Sequence, residues 1–326
     1  MLSIWAALLC GWLCAAQPDV EDSELTTSGW KKYAENPIIG WKGVGGSVFD
    51  VSVLLTDNDT YTMWLSWRSV PISTIAIASS KDGQHWSDME PVLSSDGEWE
   101  DLVNRPCVIF HQGKYHMWFA GNRYSNSSSI GYATSLDGIS WQRLAQPVFV
   151  PQSTWEGPTV MNPAVIYDER THCFKMWYSA GEQYEPRAIG YATSDDGIEW
   201  KRLPDPVFSG TGYKGDWDRQ RAGVGQVLFL SGWYTMFYIG YSDIDHAAIG
   251  IARSRDGISA WVRYPFNPVI QPTPGTFDEN ACYKPAVVYD GLEWKLWYNG
   301  RSGNVERIGL ATFSSTEVWP EMKAYT

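Results

Sequence analysis

Carboxylates, arginines and aromatic side chains gather at recurring points of this chain, at the two ends of short apolar runs. Asp50 opens one run, and Trp67 and Arg68 follow its partner; Asp101, Asn104 and Arg105 precede the next, with Asn122 and Arg123 behind its partner. Asn162 and Glu182 hold the matching places in a third segment, and Arg219, Arg221, Tyr241 and Asp243 in a fourth. Glu279, Tyr283, Lys284, Asn299 and Arg301 hold them in a fifth. Two carboxylates facing each other across an aromatic-lined pocket can transfer a glycosyl group to water. One acts as acid toward the leaving oxygen and the other as base or nucleophile. Asp50, Asp101, Glu156 and Glu182 are the candidates for that pair. Trp67, Asn104, Asn162, Tyr241, Glu279 and Tyr283 are read as substrate-binding. So are the cations Arg68, Arg105, Arg123, Arg221, Lys284 and Arg301, a basic set unexpected in a chain of net charge −12. Some of them neutralise carboxylates. Two or three left over favour an anionic ligand, such as a uronate, a sulfated sugar or phosphate, which guanidinium forks grip bidentately. The plainer reading is a wet rim of ion pairs.

The elements that must position these residues repeat. The segments Ile75–Trp86, Ile130–Trp141, Ile189–Trp200, Ile249–Trp261 and the eroded Ile308–Trp319 begin 55 to 60 residues apart, and the first four carry Ser-x-Asp-Gly. Before each lies an alternating run such as Tyr61–Leu65, Tyr115–Phe119 or Phe174–Tyr178, and before that an apolar run that often contains proline, as in Arg105–Phe110, Asn162–Tyr167 and Lys284–Tyr289. A period of this size, with β-type units and Asp-Gly turns, predicts an all-β propeller of five blades with four antiparallel strands each. The expected blades cover about 46–95, 99–150, 155–209, 217–271 and 277–319. Trp30–Ile39 matches Trp261–Ile270 in spacing. The N-terminal stretch 30–39 is therefore expected to supply the outer strand of the last blade and leave no free sheet edge there. Residue types that recur in every blade are scaffold; those that occur once are functional candidates. By that test the Asp-Gly and Trp of the turns are structural. The aromatic–acid pairs Trp99-Glu100, Trp155-Glu156, Trp217-Asp218 and Phe277-Asp278 also read as loop packing, although Glu156 stays among the catalytic candidates.

The chain of 326 residues, 44% of them hydrophobic and 19 of them Trp, is ample for one large core. Its acidity argues against nucleic acid or an anionic membrane as the main partner, and no stretch after the N-terminus reaches the roughly 18 apolar residues of a membrane span. Residues 1–16 read as a signal peptide cleaved after Ala16, so the mature protein is expected to be secreted, free of the membrane and monomeric. Beyond the leader, Cys107, Cys173 and Cys282 make no disulfide framework, no spacing suggests a metal site, and no cofactor is expected. Asn58 and Asn126 head glycosylation sequons on predicted turns.

The second strands rich in Met-Trp-Tyr, followed by Ile-Gly-Tyr-Ala-Thr-Ser-x-Asp-Gly-x-x-Trp, resemble the five-bladed propeller glycosidase superfamily. That group includes arabinanases, β-xylosidases, invertases, levansucrases and mannoside phosphorylases. The resemblance covers the whole mature chain and implies a glycoside hydrolase. Asp50-Val51-Ser52-Val53 is similar to the blade-one segment that carries the catalytic base in glycoside hydrolase family 43, with Val in place of Pro. Asn162-Pro163 stands where that family has an auxiliary Asp, and Arg221–Gly225, which matches its general-acid segment, holds no carboxylate. The acid stays open between Asp101, Glu156 and Glu182. The invertases' Arg-Asp-Pro is unmatched at Asn104-Arg105-Pro106, and the phosphorylases' Glu-Asp-Pro-Arg is echoed only by Glu100, Asp101 and Arg105. Sialidases place Asp and Gly one residue apart in their turns; here they are adjacent.

The expectation is therefore a secreted hydrolase of an oligo- or polysaccharide with Asp50 as base or nucleophile. Its rivals are phosphorolysis or hydrolysis of an anionic sugar, a non-catalytic glycan binder, and a partner-binding propeller. Funnel residues that differ from blade to blade favour one central site over the repeated sites of a lectin.

Overall fold

The computed structural model describes residues 28–40, 46–56, 58–69, 72–182 and 186–319; the expected leader lies outside them. Among the described residues the chain is all-β apart from a 3-10 turn at Thr154–Glu156. After a short β1 (Lys31–Lys32), one sheet comprises β2 (Ser47–Thr56), β3 (Thr60–Ser69), β4 (Ile72–Ser80) and β5 (Glu90–Leu93) in spatial order. The next comprises β6 (Leu102–His111), β7 (Lys114–Asn122), β8 (Ser128–Ser135) and β9 (Gln142–Arg143). A third has β10 (Val160–Asp168), β11 (Cys173–Ala180) and β12 (Ala188–Ser194), with β13 (Lys201–Arg202) and β14 (Phe208–Ser209) both pairing β12.

The fourth sheet joins two such units through one parallel bridge, Ala247↔Ala281. One unit is β15 (Arg221–Leu230), β16 (Trp233–Tyr241), β17 (Ala247–Ser254) and β18 (Val262–Arg263); the other is β19 (Ala281–Tyr289), β20 (Trp294–Ser302) and β21 (Val305–Phe313). The outer place of this last unit is filled from the other end of the chain. Lys31 and Lys32 pair with Thr312 and Ala311, and Ile39 bridges Ile308, as the spacing of Trp30–Ile39 predicts. Each first strand packs against the next, β2 on β6, β6 on β10, β10 on β15 and β15 on β19, and β19 returns to β2.

The units stack face to face, so their middle strands are buried on both sides and lose the polar alternation of a half-exposed sheet. Strand β11, Cys-Phe-Lys-Met-Trp-Tyr-Ser-Ala, is buried at every position but its first. Tryptophan does more than fill this space. Trp64 Nε1 donates to the carbonyl of Gly138 (2.9 Å), Trp118 to Gly197 (2.9 Å), Trp177 to Gly257 (2.7 Å) and Trp297 to Gly83 (2.8 Å). Four of the second strands are thus tied to the Asp-Gly turn of the following unit, the last unit's to that of the first. The fourth unit has Phe237 at this position, packed edge-on against Trp30, and the turn that would follow is the eroded one with no Asp-Gly. The turns are built to receive this bond. Their glycines take positive φ, +75° at Gly138, and a Cβ there would lie 2.9 Å from the Trp64 ring. Their aspartates are backbone acceptors: the N–H groups of Ser140 and Ile139 hold the Asp137 carboxyl well below the usual range.

The aromatic–acid pairs also repeat a structural bond. Glu100, Glu156, Asp218 and Asp278 are buried and meet a cation from the outer strand of their own unit: Arg143 at 2.7 Å, Arg202 at 2.8 Å, Arg263 at 2.7 Å and Lys32 at 2.5 Å. Lys32 therefore does for the last unit what an arginine does in the others. Removing one partner of a buried pair typically costs about 3–5 kcal/mol because the other charge is stranded. Lys32→Met is accordingly expected to lower the denaturant midpoint by more than Trp118→Phe does. The latter loses one hydrogen bond, about 1 kcal/mol, plus a small packing term. Equal midpoints for Lys32→Met and wild type in a urea titration would show that β1 does not secure the last unit.

Candidate active site

Each first strand breaks its register at the same height. The irregularity falls between Phe49 and Val51, Asn104 and Cys107, Met161 and Ala164, Val224 and Gln226, and Tyr283 and Ala286. A β-bulge of this kind inserts an unpaired residue and re-aims its side chain. The inserted residues are Asp50, Arg105, Asn162 and Lys284, with φ of 51°, 55°, 53° and 43°, values that side chains seldom adopt. Pro106, Pro163 and Pro285 follow three of them, a tolerable place because a bulge breaks the ladder that proline's missing N–H would interrupt. In the fourth unit the position is Gly225, where a Cβ would lie 2.5 Å from the Pro285 ring. The backbone there is held by a neighbour: Arg105 N–H donates to Ser66 Oγ (2.8 Å), Val224 N–H to Ser179 Oγ (2.9 Å) and Asp50 N–H to Asn299 Oδ1 (3.4 Å).

These four side chains line one cleft of about 290 Å³ together with Phe49, Arg68, Ile239, Tyr241, Tyr283, Asn299, Arg301 and Glu306. Asp50 is buried, with Arg105 Nε 3.4 Å from its Oδ2. Glu306 Oε2 accepts from Arg68 Nη2 (3.1 Å) and Oε1 from Asn299 Nδ2 (3.2 Å). Arg68 lies over the Phe49 ring at 4.9 Å. Tyr241 and Tyr283 sit 6.1 Å apart in the wall, and Arg301 Nη2 donates to the Asp245 carbonyl (2.6 Å). Asp50 Oδ2, Arg105 Nε, Asn162 Oδ1 and Arg301 Nε are buried and make no hydrogen bond among the described residues. Orphaned polar atoms of opposite character around one cavity are what a polyhydroxylated ligand satisfies. Burial, and then the Asp50 charge, push the Glu306 carboxyl up to about 7 against Arg68, Arg105 and Arg301. Burial pushes the Lys284 ammonium down to about 7, outweighing the pull of Asp50.

Of the residues picked from sequence, the fold brings Asp50, Arg68, Arg105, Asn162, Tyr241, Tyr283, Lys284 and Arg301 into this cleft. Asn104 stands behind it and accepts from Arg105 Nη1 (3.2 Å). The others lie outside its lining. Asp101 pairs with Arg123 at 3.5 Å and caps Tyr124 N–H (2.8 Å). Glu156 is fully buried against Arg202, Tyr178 and the N–H groups of Gln152 and Ser153, which together outweigh burial and hold its pKa below normal. Glu182 bridges Arg187 (3.1 Å) and Arg221 (2.6 Å). Glu279 accepts from Ser302 Oγ (2.7 Å), and Trp67 packs against the core that holds Tyr61 and Trp297. Asn58 and Asn126 are exposed on turns. Glu306 was not among the candidates. It starts a third strand, where Arg307 and Ile308 read as ordinary scaffold, and only the inter-unit packing turns it toward Asp50.

Comparison with known proteins agrees with this architecture. No protein-family signature matches the chain. It is 27% identical over 242 residues to the 1,2-beta-oligomannan phosphorylase of Thermoanaerobacter sp. (strain X514), covering 68% of this chain and 73% of that protein. It is 31% identical over 257 residues to the vacuolar acid beta-fructofuranosidase 4 of Arabidopsis thaliana, covering 74% of this chain and 35% of the enzyme. The alignments to two uncharacterised Mycobacterium tuberculosis proteins are 30% identical, and the chain spans about half the length of these relatives. A beta-1,2-mannobiose phosphorylase from Listeria innocua superposes with a TM-score of 0.70 at 15% identity, over 88% of this chain and 97% of that one. The fold is thus the propeller-like one of these glycosidases and phosphorylases, and the resemblance read from the repeats holds.

The two shifted groups give opposite pH signatures. Between about pH 4.5, the ordinary carboxyl value, and 7, the unfolded Glu306 is ionised while the folded one keeps its proton, so its contribution to stability falls as pH rises. From about 7 up to 10.5 the unfolded Lys284 binds a proton that the folded one lacks, so its contribution rises with pH. Urea titrations at pH 5 and 7.5 are expected to show a smaller difference in stability for Glu306→Gln than for wild type. An unchanged difference would place that carboxyl in the ordinary range.

Proposed function

We propose that this chain is a secreted, monomeric carbohydrate-active enzyme, built as a five-bladed propeller, that hydrolyses a glycosidic bond in the cleft with Asp50 as base or nucleophile. The observation that carries the reading is the convergence of Asp50, Arg105, Asn162 and Lys284 on one cavity through equivalent bulges, with orphaned polar atoms among them. Support for five blades comes from the four-stranded units, the return of β19 to β2 and the Trp297–Gly83 bond. The blades are taken to cover about 46–95, 99–150, 155–209, 217–271 and 277–319, limits that rest on the spacing of the repeats. Secretion rests on the leader at 1–16 and on the exposed sequons at Asn58 and Asn126, glycosylated in a secretory pathway that modifies such sites. The activities of two relatives, a 1,2-beta-oligomannan phosphorylase and an acid beta-fructofuranosidase, support glycosyl transfer as the chemistry.

One observation favours a second reading. The cleft holds the cations Arg68, Arg105, Lys284 and Arg301 against the carboxylates Asp50 and Glu306. A phosphate or an acidic sugar suits that balance better than a neutral one. Turnover of an oligosaccharide panel, with and without inorganic phosphate, separates the cases. Hydrolysis gives the free reducing sugar in both buffers, whereas phosphorolysis gives sugar phosphate only when phosphate is present.

Once a substrate is in hand, Asp50→Asn is expected to lower kcat/KM by roughly 10³-fold or more, about 4 kcal/mol of transition-state stabilisation. Asp101→Asn, outside the cleft, is expected to stay within about tenfold of wild type. Near-normal turnover by Asp50→Asn would remove the assignment.

A further inference from the structure

The hydrolase reading needs a proton donor, and none of Asp101, Glu156 and Glu182 lines the cleft. Resting on that reading, we propose that Glu306 protonates the leaving oxygen, opposite Asp50. The pairing is geometric. Asn299 donates from Nδ2 to Glu306 Oε1 (3.2 Å) and accepts the Asp50 N–H on Oδ1 (3.4 Å), so one side chain sets the positions of both carboxylate-bearing residues. The Glu306 backbone N–H is anchored on Ser47 Oγ (3.2 Å), within the strand that carries Asp50. Its side chain keeps only 16% of its surface open, toward the cleft.

The charged groups facing it come from every neighbouring strand: Asp50 on β2, Arg68 on β3, Arg105 on β6, Lys284 on β19 and Arg301 on β20. Arg68 would by itself keep Glu306 ionised. Burial and the Asp50 charge oppose it and leave the carboxyl able to carry a proton near neutrality.

The step balances as follows. The bond between the anomeric carbon and the leaving oxygen breaks, its electron pair stays on that oxygen, and the oxygen takes the Glu306 proton. The oxygen of a water forms the new bond to the anomeric carbon, and the proton it gives up goes to Asp50. Glu306 ends as carboxylate and Asp50 as acid, and one proton exchanged with solvent restores both. Arg68 is a positioning residue: it holds Glu306 in place, and its charge stabilises the carboxylate that forms.

The test uses the full chain and two aglycones on the sugar it accepts. With an alkyl or sugar aglycone, which needs protonation, Glu306→Gln is expected to lose roughly 10²- to 10⁴-fold in kcat/KM. With 2,4-dinitrophenol, which leaves unaided, it is expected to stay within about tenfold of wild type, and the alkaline limb of the pH profile is expected to vanish. Equal losses on both aglycones, or none on either, would overturn the assignment while leaving the hydrolase reading intact; a wild type inert on every glycoside overturns both. A readout without substrate checks folding and pairing together. The Glu306 carboxyl, identified in ¹³C spectra by its absence from Glu306→Gln, is expected to titrate near neutrality in wild type and lower in Asp50→Asn. A midpoint in the ordinary carboxyl range that Asp50→Asn does not move would also overturn it.

Discussion

The indole N–H of four second strands, donating to the glycine carbonyl of the next unit's turn, is the contact on which the rest of this fold depends. It is buried and directional, and it runs from Trp64 through Trp118 and Trp177, then from Trp297 back to Gly83. A buried donor left without an acceptor costs more than the bond itself contributes, so each link sets the distance and rotation between neighbouring sheets. The one omission is consistent with this. Where the receiving turn has lost its glycine, the donor is replaced by Phe237, and Trp30 fills the space from the N-terminal segment. Donor and acceptor disappear together.

A scaffold held this way leaves its first strands to serve another purpose. They meet around the axis through side chains that accept backbone N–H groups from the next strand, as Ser52 does for Val108 and Gln226 for Val287. Because those contacts carry the packing, the ladder can be broken at one height in every unit. The bulges that result hold Asp50, Arg105, Asn162 and Lys284 at positive φ, a strain that persists only where the surroundings over-determine it. Four of the ten non-glycine residues with positive φ among the described residues gather at this one level, beside orphaned polar atoms, and that supports the site proposed there.

The same contrast separates two kinds of acidic residue. Glu100, Glu156, Asp218 and Asp278 each meet one cation of their own unit, and breaking such a buried pair strands the charge left behind. Asp50 is buried and Glu306 half-buried among more charges than they neutralise, and the protonation of Glu306 is left near balance. A low-dielectric pocket with partly met electrostatic demands is costly to the free protein and useful to a transition state.

Much of the architecture was legible in the amino-acid order. The 55- to 60-residue period, the Ser-x-Asp-Gly turns and the match of Trp30–Ile39 to Trp261–Ile270 are local patterns, and the pairing of β1 with β21 follows from them. Comparing repeats also marked Asp50, Arg105, Asn162 and Lys284, because they differ at one position of a shared template. The prolines after three of them were the overlooked sign of a bulge. What sequence could not decide was which carboxylates face one another. Asp101, Glu156 and Glu182 have the right chemistry but end in ion pairs outside the cleft, whereas Glu306 looks like the start of a scaffold strand. That choice is made by the rotation of whole sheets about a common axis, through contacts between residues as far apart as Ser47 and Glu306, and no local pattern encodes it.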